Sequence, residues 1–237
     1  MEKSDLAQLR WYGSRVVTRG GKTSLNVREL VLDTKVVAIV RGISGDYVQL
    51  ARALYDGGIR AMEVTFDLKN PDTFEKTTGA IRQIRAAMDE KMAVGAGTVA
   101  TPALAALAFT AGAQFIVSPD TDPSVIQRAK ELGMCAMPGA MTPTEVKTAY
   151  DAGADFVKLF PASVLGSEYI KAIRGPLGHV PLLAVGGVNE DNAASFIRAG
   201  CVGVGAGGNL VNRTWISEGQ WTQISALAGR LCASVRL

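Results

Sequence analysis

Histidine and cysteine are scarce in this chain of 237 residues, which has one histidine and three cysteines. A zinc site built from several histidines is therefore excluded, and a Ser–His mechanism would have to depend on His179 alone. His179 lies in the segment Gly175–His179, where glycine and proline predict a loop without a catalytic role. Three widely spaced cysteines favour free thiols in a reducing, cytoplasmic setting over a disulfide framework. They are Cys135, Cys201 and Cys232.

Long apolar runs and a strong charge imbalance are also lacking. No stretch of about 18 consecutive apolar residues occurs, so the sequence predicts no membrane span. Residues 1–35 are punctuated by charges and lack the apolar core of a signal peptide. The net charge of +3 is small and scattered, so no nucleic-acid partner is expected. The apolar content of 48% and charged content of 20% are typical of a soluble globular protein.

Apolar segments typical of strands alternate with segments typical of helices. The strand spacing of about twenty residues is the length of one βα unit, and eight such units predict a (β/α)8 TIM barrel of the α/β class. The predicted strands are Val36–Val40, Ala61–Phe66, Met92–Ala96, Gln114–Ser118, Met134–Pro138, Phe156–Phe160, Pro181–Val185 and Val202–Ala206.

The ends of the predicted helices support this division. Glycine stands just before most of the following strands, as a helix C-terminus favours. Thr142–Glu145 combines a capping threonine, a proline and a capping-box glutamate. We predict an N-terminal extension over residues 1–30 and one catalytic barrel domain over 31–237, with Trp221–Val235 as the last helix. The sequence leaves open whether the extension is a short helix that closes the bottom of the barrel or a contact between copies of the chain.

A lysine interrupts one of the apolar strands, in the segment Phe156–Pro161. Strand alternation places Phe156, Lys158 and Phe160 on one face, so we predict that the Lys158 ammonium is buried within the sheet. Burial lowers the pKa of lysine, and a neutral lysine attacks carbonyl groups to form a Schiff base. The alternative is a lysine at the strand end that extends to solvent.

A carboxylate interrupts a second apolar strand. Glu63 shares a strand face with Ala61 and Thr65. If Glu63 and Lys158 both point into the barrel, they form a base and a nucleophile. The alternative is a buried ion pair that holds the barrel together, although such pairs add little net stability.

Further polar or glycine-rich segments end the predicted strands, where barrel active sites lie. Arg41 ends the first strand. Thr98 follows the third and is a candidate for ligand binding and for capping the next helix. Gly186–Gly187 and Gly207–Gly208 follow the seventh and eighth strands. Backbone N–H groups of such loops bind phosphate in barrels, so a phosphorylated substrate is predicted.

Seven segments together resemble the family of 2-keto-3-deoxy-6-phosphogluconate (KDPG) and 4-hydroxy-2-oxoglutarate (KHG) aldolases. They occur in order and at fitting spacing within residues 35–212. They are Glu63–Thr65, Gly95–Val99, Gly112–Pro119, Met137–Gly139, Thr142–Glu145, Val157–Pro161 and Gly186–Val188.

The resemblance implies a homotrimeric class I aldolase, a carbon–carbon lyase that releases pyruvate from a keto acid and needs no metal or cofactor beyond its covalent imine. Lys158 then corresponds to the Schiff-base lysine and Glu63 to the acid/base carboxylate. Thr98 corresponds to a pyruvate-binding threonine, and we assign Pro138 to the same subsite. Gly186 and Gly187, which we extend to Gly207 and Gly208, correspond to the phosphate site.

The chain departs from the family pattern at the substrate-binding positions. Several members have a carboxylate-binding arginine where this chain has Asp67, and we expect Arg41 to replace it. A serine common in the strand-8 loop is Gly208 here, and a threonine before the first glycine pair is Val185. The predicted substrate is KDPG, which yields glyceraldehyde 3-phosphate. Its galactonate epimer, KHG with glyoxylate as product, and an unphosphorylated sugar acid stay open.

Three other activities fit parts of the sequence. A metal-dependent pyruvate aldolase would use a metal ion in place of the imine, and the single histidine argues against it. A non-catalytic barrel that binds sugar phosphates gives no reason for the pair Glu63 and Lys158. A phosphosugar epimerase on the same fold needs no imine.

Overall fold

The protein is described here by a computed structural model that covers residues 10–12, 15–17 and 23–237. No helix in these ranges is long and apolar enough to cross a bilayer. Within them the chain begins with three short antiparallel strands and continues into alternating helices and parallel strands.

The predicted strands are all present. The strands are β1 Arg10–Tyr12, β2 Arg15–Val17, β3 Thr23–Leu25, β4 Val36–Val40, β5 Ala61–Thr65, β6 Ala93–Gly97, β7 Phe115–Val117, β8 Cys135–Met137, β9 Gly139–Ala140, β10 Val157–Leu159, β11 Leu182–Val185 and β12 Gly203–Ala206. The helices are α1 Val27–Thr34, α2 Tyr47–Asp56, α3 Phe74–Met88, α4 Pro102–Thr110, α5 Pro123–Glu131, α6 Pro143–Asp151, α7 Ala162–Leu177, α8 Ala193–Arg198, α9 Arg213–Ser217 and α10 Trp221–Ser234.

The nine strands β4 to β12 form one parallel sheet in the order β8-β7-β6-β5-β4-β12-β11-β10-β9. Its two ends are β8, which lies within the predicted strand Met134–Pro138, and β9, which directly follows that strand, and only Pro138 separates them. The carbonyl of Pro138 accepts a hydrogen bond of 2.8 Å from the backbone N–H of Lys158 in β10. The sheet is therefore closed into a barrel, and the predicted (β/α)8 fold is confirmed.

Side chains alternate between the barrel interior and the surrounding helices, as the strand period requires. Ala61 and Phe156 belong to the interior cluster, whereas Met62 and Val157 pack against the helices. The interior is crowded, because a Cβ on Gly95 would lie 2.5 Å from the ring of Phe115. Glycine at this position of β6 leaves room for that aromatic ring.

Helix α1 closes the amino-terminal end of the barrel. Val27, Leu30 and Val31 are buried in the interior cluster, below the strands. Asn26 caps this helix by accepting hydrogen bonds from the backbone N–H groups of residues 28 and 29. Within the described residues of the extension, those at 10–12, 15–17 and 23–25 form strands and the first helix begins at Val27. Much of it lies outside the described residues, and the domain boundary at residue 30 stays a prediction.

Helix boundaries follow the local sequence signals. Thr142 and Glu145 form the predicted capping box at the start of α6. The glycines that end the helices include Gly112 and Gly153, which have φ values of 91° and 97°. These left-handed conformations favour glycine.

Candidate active site

The carboxyl ends of the barrel strands surround a cavity of about 460 Å³. Every predicted site residue except Pro138 lies on its wall. The lining residues are Ile39, Arg41, Glu63, Thr98, Pro119, Lys158, Phe160, Val185, Gly186, Gly187, Val188, Gly205, Gly207, Gly208 and Asn209. The fold therefore brings together residues that are far apart in the sequence, from the first strand of the barrel to the loop after the last.

Glu63 is the most deeply buried charged residue of the site. It lies in the middle of β5, only 3% exposed, and its Oε2 atom has no hydrogen-bond partner within the described part of the chain. Burial raises the pKa of Glu63 to about 7, although the nearby charges of Lys158 and Arg41 act in the opposite direction. This carboxyl group can therefore give and accept a proton near neutral pH.

Gly97, on the neighbouring strand β6, provides the space for this carboxyl group. A Cβ at Gly97 would lie 2.7 Å from both the carboxyl carbon and Oε1 of Glu63. No side chain larger than hydrogen fits there unless Glu63 moves. The glycine thus sets the position of the carboxylate.

Lys158 lies in the middle of β10, opposite Leu183 of β11 and Gly139 of β9. Burial lowers the pKa of Lys158, while the Glu63 carboxylate opposes this shift. Its Nζ lies 5.2 Å from the centroid of the Phe160 ring. Lys158 is partly buried, so the burial predicted from the strand pattern is present in part, and the lowered pKa favours the neutral, nucleophilic amine.

Glu63 and Lys158 do not form a closed ion pair. Among residues 23–237, no salt bridge within 4.0 Å joins their side chains. The alternative of a structural ion pair that holds the barrel together is therefore wrong. Both residues line the cavity without a salt bridge between them, as acid/base and nucleophilic roles require.

Thr98 has a left-handed backbone conformation with a φ of 58°. This region is unfavourable for a β-branched residue, and such strain occurs often at functional sites. The predicted capping role is wrong, because Thr101 caps α4 by accepting a hydrogen bond from the backbone N–H of Leu104. The Thr98 hydroxyl, at the cavity wall, is thus not needed for the helix.

Arg41 supplies positive charge at the cavity wall. It directly follows β4, is exposed, and affects the pKa values of both Glu63 and Lys158. Asp67 lies outside this cavity, where its carboxylate accepts hydrogen bonds from the Asn70 side chain at 2.6 Å and the Lys69 backbone at 3.1 Å. Arg41, and not Asp67, is therefore the group placed to attract a carboxylate.

The two glycine loops form another part of the cavity wall. Gly186 and Gly187 have φ values of 96° and 71°. A Cβ on Gly186 would lie 3.0 Å from the Phe160 ring, and one on Gly187 would lie 2.3 Å from the Oγ of Ser163. Side chains are therefore excluded at both positions, and the backbone is left open to a ligand. Gly208 differs, because a Cβ there would have no described atom of another residue within 4 Å beyond its chain neighbours.

Pro138 does not line the cavity. It is buried in the gap between β8 and β9, where its carbonyl positions the backbone of Lys158. The cavity wall contains Pro119 instead, from the neighbouring strand end. Pro119 and Phe160 were missed as site residues, although alternation along β10 already placed Phe160 on the same face as Lys158. The exposed His179 lies between α7 and β11, at the opposite end of the barrel, where its ring contacts Tyr150.

Comparison with known proteins decides the family. The sequence matches the profile described as "Aldolase: KDPG and KHG aldolase" over residues 27–227. The chain belongs to this family. The resemblance found from the sequence motifs is confirmed, as is the expected enzyme class, a carbon–carbon lyase.

Individual relatives agree with this assignment. The chain is 40% identical to 2-dehydro-3-deoxy-6-phosphogalactonate aldolase of Escherichia coli, over 74% of this chain and 83% of that protein. It is 37% identical to 2-dehydro-3-deoxy-phosphogluconate aldolase of Treponema pallidum, over 77% and 84%. A solved KDPG aldolase of Legionella pneumophila, with pyruvate captured as a covalent carbinolamine, superposes with a TM-score of 0.76 at 26% identity, over 86% and 97%.

The raised pKa of Glu63 makes stability depend on pH. The folded protein holds this proton up to about pH 7, whereas the unfolded chain loses it near the ordinary value of 4.5. Stability therefore falls as the pH rises from 4.5 to 7, and above pH 7 the full penalty, on the order of 3 kcal/mol, is present. We expect urea denaturation to show Glu63→Gln as more stable than the wild type at pH 8 and equally stable at pH 4.

The control is Glu168→Gln, which changes a carboxylate that is 83% exposed. Its stability relative to the wild type should be nearly independent of pH. An advantage of Glu63→Gln that is the same at both pH values would show that the pKa of Glu63 is not raised.

Proposed function

We propose that this protein is a class I aldolase that cleaves a phosphorylated 2-keto-3-deoxy sugar acid through an imine on Lys158. The observation that carries the proposal is the placement of Lys158 and Glu63 in one cavity without a salt bridge between them. Burial favours the neutral form of each side chain, which gives a nucleophile and a proton donor in the same space.

The reaction begins with attack of the Lys158 amine on the C2 ketone of the substrate. The resulting carbinolamine loses water after Glu63 protonates its hydroxyl, directly or through a water molecule. The product of this step is an iminium ion, which withdraws electrons from the adjacent C3–C4 bond. The proposal uses no metal and no cofactor beyond this covalent imine.

Cleavage follows when the Glu63 carboxylate, or a water molecule that it binds, removes the proton of the C4 hydroxyl. The electron pair of the C3–C4 bond moves into the iminium and forms an enamine, and C4 leaves as an aldehyde. Glu63 then returns a proton to C3. Hydrolysis of the imine releases pyruvate and restores the Lys158 amine.

Two groups of lining residues suit the two ends of such a substrate. Arg41 and Thr98 offer a guanidinium and a hydroxyl to the carboxylate. The glycine loops present an exposed backbone to a phosphate. Val185 and Gly208 lack the hydroxyl groups found at these positions in other members, so phosphate binding depends here on backbone N–H groups and on Asn209.

KDPG and its galactonate epimer are the two candidate substrates, and both yield pyruvate and glyceraldehyde 3-phosphate. Family membership and the relative from Treponema pallidum support the gluconate compound. The 40% identical relative from Escherichia coli, named for the galactonate compound, supports the epimer. We further propose a homotrimer in the cytoplasm, with support from family resemblance and from three free, buried cysteines.

The imine is tested by intact mass after sodium borohydride treatment, with and without pyruvate. We expect the wild type to gain the mass of one reduced pyruvate only when pyruvate is present. Lys158→Met should gain none, because it lacks the amine. Lys91→Met changes an exposed lysine away from the cavity and should behave like the wild type. A wild type without a gain in mass would disprove the class I mechanism.

The substrate is tested by coupling pyruvate release to NADH oxidation. Because the glycine loops are built for a phosphate, we expect kcat/KM for KDPG or its galactonate epimer to exceed that for KHG by at least about tenfold, the equivalent of one charged contact. The ratio between the epimers identifies the preferred C4 configuration. An equal kcat/KM for KHG and for the phosphorylated compounds would argue against the phosphate site.

The role of Arg41 is tested in the condensation direction, where pyruvate is a substrate. Loss of a charge-assisted hydrogen bond in Arg41→Ala should raise the KM for pyruvate by about 10- to 100-fold. Arg52→Ala removes an exposed arginine of α2 and serves as the control. An unchanged KM in Arg41→Ala would rule out Arg41 as the carboxylate-binding residue.

A further inference from the structure

The glycine loop Gly186–Val188, which lines the cavity after β11, is held by hydrogen bonds from two residues outside the cavity. The backbone N–H of Ser163, in the first turn of α7, donates to the Gly186 carbonyl at 3.0 Å. The side-chain Nδ2 of Asn192 donates to the Gly187 carbonyl at 2.8 Å. Both carbonyl groups of the glycine pair are therefore bound by donors that do not line the cavity.

These two hydrogen bonds fix the direction of the N–H groups that follow. Both peptide bonds of the loop are trans, and a planar trans peptide unit has its C=O and N–H bonds on opposite sides. The N–H groups of Gly187 and Val188 therefore point away from Ser163 and Asn192, and both residues line the cavity. Within residues 23–237 neither N–H group donates a hydrogen bond. Consecutive free N–H groups of this kind bind anions such as phosphate.

Asn192 also connects this loop with the start of α8. Its Oδ1 accepts a hydrogen bond of 2.9 Å from the backbone N–H of Asn189. The Asn189 side chain accepts in return from the backbone N–H groups of residues 191 and 192, so the pair resembles a capping box. The cap needs only the acceptor oxygen of Asn192, whereas the hydrogen bond to Gly187 needs its amide N–H. The two roles can therefore be separated by substitution.

We propose that Asn192 is a positioning residue for the phosphate end of the substrate. Its amide holds the Gly187 carbonyl outside the cavity, so that the Val188 N–H is directed at the phosphate before the substrate binds. Donors that are ordered in advance lose less entropy on binding. The chain depends on such donors because Val185 and Gly208 lack the hydroxyl groups of other members. This inference rests on the proposed phosphorylated substrate.

Asn192→Asp separates the two roles of this side chain. The aspartate keeps an oxygen for the Asn189 N–H but has no N–H for the Gly187 carbonyl. Asn189→Asp is the matched control, because it adds the same charge in the same turn and keeps the oxygen that caps α8. Asn192→Ala removes both hydrogen bonds without adding a charge. Asn26→Ala removes an asparagine cap from α1, at the other end of the barrel.

The first measurement compares kcat/KM for the phosphorylated substrate with kcat/KM for KHG, which has no phosphate. We expect Asn192→Asp and Asn192→Ala to lower kcat/KM for KDPG or its epimer at least about tenfold, mainly through a higher KM, because a donor to a charged oxygen is misdirected. Their kcat/KM for KHG should stay within about twofold of the wild type, since KHG does not use the phosphate site.

The control variants should leave both substrates nearly unaffected. We expect kcat/KM within about threefold of the wild type for Asn189→Asp and Asn26→Ala. If Asn192→Ala lowers kcat/KM equally for KHG and the phosphorylated substrate, or for neither, Asn192 has only a structural role and the proposal is overturned.

Isothermal titration calorimetry with inorganic phosphate examines the loop without turnover. Asn192→Ala and Asn192→Asp should raise the Kd for phosphate at least about tenfold, and Asn26→Ala should leave it unchanged. Trapping of pyruvate with borohydride should be the same in Asn192→Ala and the wild type. A wild type that traps no pyruvate would disprove the aldolase function. Intact trapping with an unchanged Kd in Asn192→Ala, or a wild type that binds no phosphate, would disprove the role of Asn192.

Discussion

The burial of the Glu63 carboxyl group inside a closed barrel is the constraint on which the rest of the site depends. A buried carboxyl without a hydrogen-bond partner at Oε2 among the described residues is costly in its ionised form, so it holds its proton up to about pH 7. The same low-dielectric space keeps the Lys158 amine available. A salt bridge between them would stabilise both charges and remove both reactive groups, and the separation of the two side chains prevents this.

The packing of the barrel around Glu63 keeps this carboxyl group buried. Glu63 occupies an interior position where an apolar side chain would be more favourable, and its neighbours are small or apolar. Gly97 gives it space, and the interior below it is filled by side chains such as Val37 and Val117. Helix α1 covers the amino-terminal end, and the cavity that Glu63 and Lys158 line lies at the carboxyl ends of the strands. The alternation of side chains along β5 thus places Glu63 in the buried interior, and the same position raises its pKa toward the value that its proposed role in proton transfer needs.

Features that depend on local sequence were predictable, and those that depend on tertiary contacts were not. The eight strands, the capping box of Thr142 and the convergence of Glu63 with Lys158 follow from strand period, helix capping and barrel topology. The strain at Thr98 and the position of Pro138 in a gap between two strands depend on how the closed sheet bends.

The charged residues around the cavity differ from the family pattern, and the difference concerns the group that would bind the carboxylate of a 2-oxo acid. Several members carry an arginine where this chain has Asp67, and here the Asp67 carboxylate lies outside the cavity that Lys158 and Glu63 line and accepts hydrogen bonds from Lys69 and Asn70. Arg41 provides a guanidinium from another strand end, where it can act on Glu63, Lys158 and a bound carboxylate. With the role proposed for Arg41, the positive charge that a 2-oxo acid requires comes from the end of β4 and not from the end of β5.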